Sequence, residues 1–129
     1  MKLAIESFGT GEPLVLIHGM GSAATAWNPI ISDLKNKFKV VTVDLPGHGR
    51  TAYSPSQPMD PTSLAHLVTE NLHTLGIDEF HLVGNSLGGW ICLEMAASYP
   101  ENVKSITALA PAGLWLTPFT SRYPGEVAL

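Results

Sequence analysis

The sequence predicts an α/β domain, a mostly parallel sheet of about five strands with helices on both faces. Three observations carry that expectation. Short apolar runs of strand length alternate with longer segments whose apolar residues recur at helical spacing, the pattern of strand–helix–strand units. The run Leu14–Ile17 is apolar throughout and Phe80–Val83 nearly so, as strands covered on both faces must be. Three of the strands run into glycine-rich loops: His18-Gly-Met-Gly21, Leu45-Pro-Gly-His-Gly49, and Gly84-Asn-Ser-Leu-Gly88. Ligands bind at the C-terminal ends of the strands in such sheets.

In chain order, Lys2 to Phe8 alternates apolar and polar residues, as in a strand with one exposed face, and Gly9 to Pro13 turns the chain. Leu14–Ile17 suits a central strand. A helix between Thr25 and Lys37 follows, with Ile30, Ile31 and Leu34 as its apolar face. Lys39–Asp44 is the next strand, and a polar, proline-rich loop runs to Met59. The clearest helix comes next, with Asp60 as N-cap, Pro61 at the first helical position and Gly76 closing it. Leu64, Leu67, Val68, Leu72 and Leu75 form its buried stripe. The strand ending at Val83 leads through a serine turn into a helix that Pro100 stops, and Val103–Leu109 is a last strand. Beyond Gly113 no period is sustained, so the domain reads as a core over 1–113 and an excursion over 114–129.

Composition limits the function. The chain has 129 residues, enough for one domain with a real core, and 45% of them are apolar. Its net charge of −4 comes without a basic cluster, which argues against a nucleic-acid partner. No apolar run approaches the roughly 20 residues that cross a bilayer, so no membrane partner is expected. One cysteine, Cys92, rules out an internal disulfide and fits a reducing, cytoplasmic setting. No set of histidines and acids has metal-ligand spacing, so neither metal nor cofactor is expected.

The serine turn is where chemistry concentrates. Strand, sharp turn with Ser86 at its tip, then helix is the context that gives a Gly-x-Ser-x-Gly pattern meaning. Lifting the hydroxyl clear of the sheet is expected to force Ser86 to positive φ. Strand and helix would then pass so closely that side chains two before and two after the serine collide, hence Gly84 and Gly88, with Gly89 allowing tight helix packing.

Together the three loops resemble the α/β-hydrolase superfamily, from about Phe8 to Gly113. Val83-Gly-Asn-Ser-Leu-Gly-Gly89, Tyr99-Pro-Glu101 and Pro111-Ala-Gly-Leu114 look most like its carbon–carbon bond hydrolases, esterases and enol-lactonases. The resemblance implies Ser86 as nucleophile on an ester, lactone or ketone carbonyl. It implies backbone N–H groups of Leu87 and Met20 as an oxyanion hole, with Gly19 and Gly21 letting that loop approach; Gly19, Met20 and Leu87 would contact the small-molecule carbonyl substrate. It also implies an acid and then a histidine after the serine. Here the sequence departs from the pattern. All five histidines precede Ser86, and the only later acids are Glu94, Glu101 and Glu126. His18 and His48 are expected to shape loops, His66 and His73 to face solvent, and His81 to be structural. Trp27 and Trp90 are candidates to line a pocket, with packing the default.

These readings lead to an expectation of half a site. The chain would be the N-terminal half of a longer, truncated hydrolase, inactive alone, with 114–129 beginning a lid. Val103–Leu109 would leave an edge covered by a second polypeptide, the C-terminal half, or by a copy of the chain. The rival expectation is a non-catalytic ligand-binding or interaction module on the same scaffold.

Overall fold

The computed structural model describes residues 1–114, so the expected lid segment lies, beyond Leu114, outside the described residues. Five strands form one sheet: β1 (Ala4–Phe8), β2 (Glu12–Ile17), β3 (Phe38–Asp44), β4 (Phe80–Asn85) and β5 (Val103–Leu109). Their order is β1-β3-β2-β4-β5, with β1 antiparallel to β3 and every other pairing parallel. The helices are α1 (Asn28–Leu34), entered through a 3-10 turn at Ala24–Trp27, α2 (Pro61–Thr74) and α3 (Leu87–Ser98). β2 is the central strand, as its unbroken apolar run requires: Val15, Leu16 and Ile17 are fully buried.

Two cores sandwich the sheet. On one face α2 and α3 bring Leu64, Val68, Leu72, Ile91 and Met95 against Val15, Ile17, Val41, Val43 and Leu82. On the other, Trp27 and Ile31 pack on Leu14, Leu16 and Val40. α1 covers only this second face, around β2 and β3. At the far edge, Ser105, Thr107 and Leu109 of β5 are exposed, and among the described residues no strand pairs with the outer side of β5.

The helix boundaries follow from local chemistry. The Asp60 carboxylate accepts the Ser63 N–H at 3.0 Å, satisfying one of the unpaired donors at the start of α2. At its end Gly76 takes φ 75°. Its N–H donates to His73 O at 2.9 Å, while the Ile77 N–H reaches back to Leu72 O at 2.9 Å. This double bond pattern closes the helix in the left-handed fashion that glycine permits, and it places Ile77 over Leu72.

Two expected core positions are corrected. Leu75 is 54% exposed, because it sits at the C-cap where the chain unwinds; Ile77, 4% exposed, takes the buried place instead. Ile30 is 41% exposed, because the short α1 turns a single stripe inward. That stripe runs Trp27, Ile31, Leu34, at i, i+4 and i+7, and Ile30 lies to one side of it, about 70° from its centre. Truncation should report this difference. Leu72→Ala is expected to cost about 2–5 kcal/mol in chemical denaturation, and Leu75→Ala to stay within about 0.5 kcal/mol.

Candidate active site

Chain order reverses around β2: the chain passes to β3 on one side and returns to β4 on the other. The loops leaving β2 and β4 therefore part at their C-terminal ends and open a crevice there. Ser86 stands at its floor, exposed, with φ 53° and ψ −114°. A non-glycine residue in that region stores strain, of the order of 1–3 kcal/mol. Its backbone is held on both sides. The Ser86 N–H donates to Leu109 O at 2.9 Å, and Ser86 O accepts from Ala112 N at 3.0 Å and Trp90 N at 3.2 Å. The loop after β5 thus clamps the turn, itself bent through Ala110 at φ 42°.

The glycines flanking the serine are steric necessities, with one refinement of the expectation. A Cβ on Gly84 would lie 2.3 Å from Gly88 O and 2.7 Å from the Cys92 sulfur, the strand-against-helix collision foreseen. A Cβ on Gly88 would instead lie 2.1 Å from Ile17 O and 2.7 Å from His18 O. Gly88 therefore lets α3 start directly against the end of β2, bringing the serine turn to the loop His18–Gly21. Gly89 faces Pro111, where a Cβ would come within 2.9 Å. Cys92, sealed beneath, is fully buried, and burial pushes its thiol up to about 12, so it is a packing residue.

Leu87 is the first residue of α3, so its N–H has no partner within the helix. Met20 sits in the turn after β2, 66% exposed, and its N–H has no acceptor among the described residues. Gly19 is buried against the serine: a Cβ there would sit 3.4 Å from Ser86 Cβ. The loop after β2 thus lies against the serine turn at Gly19.

What sequence reasoning did not assign is the brace behind this loop. The Asp44 carboxylate, buried at the end of β3, accepts from Ala24 N at 2.8 Å and from Arg50 N at 3.1 Å. His48 Nε2 accepts the Gly21 N–H at 2.9 Å, and its Nδ1–H donates to Pro46 O at 3.0 Å. The loop after β3 therefore holds the loop after β2 from outside. Gly49 is required because a Cβ there would fall 2.2 Å from the Asp44 carboxylate. The one hint in the sequence is an acid ending a strand ahead of two glycines.

No histidine is free to serve Ser86. His18 is fully buried; its Nε2 accepts from Leu45 N at 3.0 Å and its Nδ1–H donates to Gly19 O at 2.7 Å. Only the neutral ring can make both bonds, and burial holds its pKa below the ordinary value. The His48 ring is likewise committed at both nitrogens. His66 pairs with Glu70 and Tyr99, and His73 with Asp78, all at the exposed side of α2. His81 bonds Ser105 Oγ at 2.6 Å and faces Glu12, the first residue of β2 and so at the opposite end of the sheet. Of the later acids in the described part, Glu94 accepts from Trp90 Nε1 at 3.3 Å and Glu101 is exposed. Among the described residues no three histidines, cysteines or acids gather as a metal site, and no helix is long and apolar enough to cross a membrane.

A cavity of about 280 Å³ adjoins the serine turn, lined by His18, Gly19, Ser22, Trp27, Asn85 and Leu109. Trp27 both packs in the second core and walls this cavity, whereas Trp90 packs on the loop at Gly113. A broader hollow of about 1620 Å³ lies along β1 and α2 and includes neither Ser86 nor its neighbours in the turn.

Comparison with known proteins agrees with this arrangement. A family described as alpha/beta hydrolase fold matches residues 12–125. A pimeloyl-[acyl-carrier protein] methyl ester esterase of Aeromonas hydrophila is 34% identical over 97% of this chain and 47% of its own length. The (E)-2-((N-methylformamido)methylene)succinate hydrolase of Acinetobacter baylyi is 36% identical over 78% of this chain and 38% of its own. Among solved structures, a membrane phospholipase A superposes with a TM-score of 0.85 at 32% identity, covering 89% of this chain and 38% of that one. The chain thus spans about half or less of the length of these relatives.

Two measurements probe the site's construction. Gly88→Ala is expected to lower stability by about 1–3 kcal/mol, because the clash is with backbone that cannot rotate away. Stability should also fall with acid. The folded pKa of His18 lies below its unfolded value of 6.5, so the unfolded chain binds the proton more readily. The stabilisation is present above pH 6.5 and is lost as pH falls through and below it. Denaturation curves between pH 8 and 5 should show that slope, and His18→Asn should flatten it.

Proposed function

The chain belongs to the α/β-hydrolase fold family, and from that premise we propose that it carries the nucleophile half of a serine hydrolase acting on an ester, lactone or ketone carbonyl. The observation that carries the reading is Ser86 at φ 53° between two glycines that no other residue could replace without a backbone clash. A helix N-cap serine needs no such strain; presenting a hydroxyl to a bound carbonyl does.

In this reading Ser86 Oγ attacks the carbonyl carbon and forms a tetrahedral intermediate. The oxygen that gains the negative charge accepts from the Leu87 and Met20 N–H groups, the first backed by the dipole of α3. Each such donor is worth about 3–4 kcal/mol in the transition state. Gly19 lets the Met20 loop approach, and Gly19, Met20 and Leu87 contact the substrate. Collapse expels the alcohol, enol or carbanion, and water then releases the acyl group from Ser86.

The hydroxyl proton must go to a base, and both histidines of the loops around the site have both ring nitrogens engaged. We therefore assign the base and its orienting acid to polypeptide outside this chain, which would also cover the open outer side of β5 and bring in the lid. The relatives named above, esterases and hydrolases, support the reaction class. A cytoplasmic location fits the single buried cysteine. A non-catalytic ligand-binding or interaction module is the competing reading.

A fluorophosphonate probe separates the two. When the polypeptide bearing the base is supplied, Ser86 should be labelled, and Ser86→Ala should abolish labelling; a completed protein that stays unlabelled would favour the binding module. The 129-residue chain alone should hydrolyse p-nitrophenyl acetate no faster than its Ser86→Ala variant. Robust turnover that depends on Ser86 would place the base within this chain and overturn the assignment.

A further inference from the structure

We propose that His48 works a two-position switch in the turn after β2. The neutral ring holds the Gly21 N–H; the protonated ring holds the Met20 carbonyl instead, once the peptide joining those residues has flipped. What the switch regulates rests on Ser86 being the nucleophile; the switch itself does not.

Four residues make the turn. Ser22 N donates to Gly19 O at 3.1 Å, Gly21 takes φ 77°, and Met20 stays out of positive φ, which together is the type II pattern. The bond between its ends leaves the central peptide, from Met20 to Gly21, unheld. Rotating that peptide by half a turn converts type II to type I while the ends stay bonded, provided the third residue accepts either sign of φ. Glycine does. A Cβ on Gly21 would also find no atom within 4 Å, so the peptide has room. Met20, 66% exposed, adds little anchorage.

What holds the central peptide is one side chain from the facing loop. His48 Nε2 accepts the Gly21 N–H at 2.9 Å, while its Nδ1–H donates to Pro46 O at 3.0 Å and keeps the ring in place. A second proton changes only the first of these contacts. Nε2 then carries a hydrogen and no lone pair, so it repels the Gly21 N–H and needs an acceptor. The Met20 carbonyl belongs to the same trans peptide as that N–H and points the opposite way. The flip exchanges the two and gives the charged ring a carbonyl. On the face turned away from His48, the loop beside the serine turn then offers a donor in place of an acceptor.

The surroundings leave this choice to His48. The facing segment, Met20 to Ser22, has no charged side chain. His18 lies 5.1 Å away between ring centroids, but it is buried with both nitrogens engaged, and burial holds its pKa low. Within the loop of His48 itself, the Asp44 carboxylate holds Ala24 N and Arg50 N, the Arg50 guanidinium turns out to Glu6, and Tyr53 stands beside Gly47. Both ends of the turn are fixed without His48, Gly19 O by the His18 Nδ1–H at 2.7 Å and Ala24 by Asp44 at 2.8 Å. Only the middle depends on it.

The test follows the isotope-labelled 129-residue chain by NMR from about pH 8 to about pH 5, where histidine rings change charge. At the upper end the Met20 Hα should lie close to the Gly21 amide proton, as in type II. At the lower end the Met20 and Gly21 amide protons should approach each other, as in type I. The exchange of one contact for the other should share its midpoint with the His48 ring protons. Once released, the Gly21 amide should lose about two- to tenfold in protection from solvent exchange, the worth of one hydrogen bond. The Ser22 and Ala24 amides should keep theirs. His48→Gln, whose amide has no proton to gain, should abolish the pH response. Met20 and Gly21 signals unmoved over the range, signals that shift with no exchange of contacts, or a response that survives His48→Gln would each overturn the proposal. So would loss of protection at Ser22 and Ala24 together with Gly21. Should His48→Gln not fold, the pH series in the unmodified chain decides alone. Because the switch needs no base, failed labelling of Ser86 with a flipping turn would strike the nucleophile reading and spare the switch; labelling with a silent turn would do the reverse.

Discussion

The structure depends on one close approach, that of the start of α3 to the ends of β2 and β4. Gly84 and Gly88 leave no room for a methyl group, with carbonyl oxygens 2.3 Å and 2.1 Å from where a Cβ would stand. Parallel strands and their crossover helices normally keep a side chain's breadth between them. Removing it at two points lets the helix begin almost inside the sheet, beside the crevice where the strand order reverses. The strain at Ser86 is a consequence of that approach. It is retained because strand end, helix and the loop after β5 each hold the serine backbone by a hydrogen bond.

The same approach explains why the loops around the site share their supports. With the serine turn fixed, the loop after β2 has to lie beside it, and a short glycine loop has little of its own to hold it. Asp44 and His48 supply that from β3, each ending on a backbone N–H of the facing loop. His18 ties the end of β2 to Leu45 from below. Every one of these bonds uses a carboxylate or a ring nitrogen as acceptor. The histidines are therefore fixed in the tautomer with hydrogen on Nδ1, and protonating either ring would break a bond that shapes the site.

Much of this was readable from the sequence, and what was not has a common cause. Strand and helix positions followed from period and punctuation: Asp60, Pro61 and Gly76 bound α2 because caps are chemistry local to a few residues. The positive φ of Ser86 followed from the glycine pattern for the same reason. Leu75 was misplaced because it falls on the C-cap, where the helix has already unwound, and Ile30 because period alone does not fix the phase of the stripe in a helix as short as α1. The Asp44 brace was beyond reach of pattern, and for His48 the glycine loop implied only a structural role and not its partner. Both depend on contacts spanning 20 or more residues, which no spacing encodes.

The state of the histidines also constrains how the site can work. In the proposed reading a base near Ser86 must accept a proton without dismantling the loop after β2, and His18 and His48 each brace that loop through both ring nitrogens. That reading gives the two duties to different segments: rings already engaged hold the loop still, and a base elsewhere takes the proton. Preorganised donors are effective only if they do not reorient as charge develops. The loops after β2, β3 and β4 thus form a braced rim around the serine turn, and Ser86 itself is left exposed.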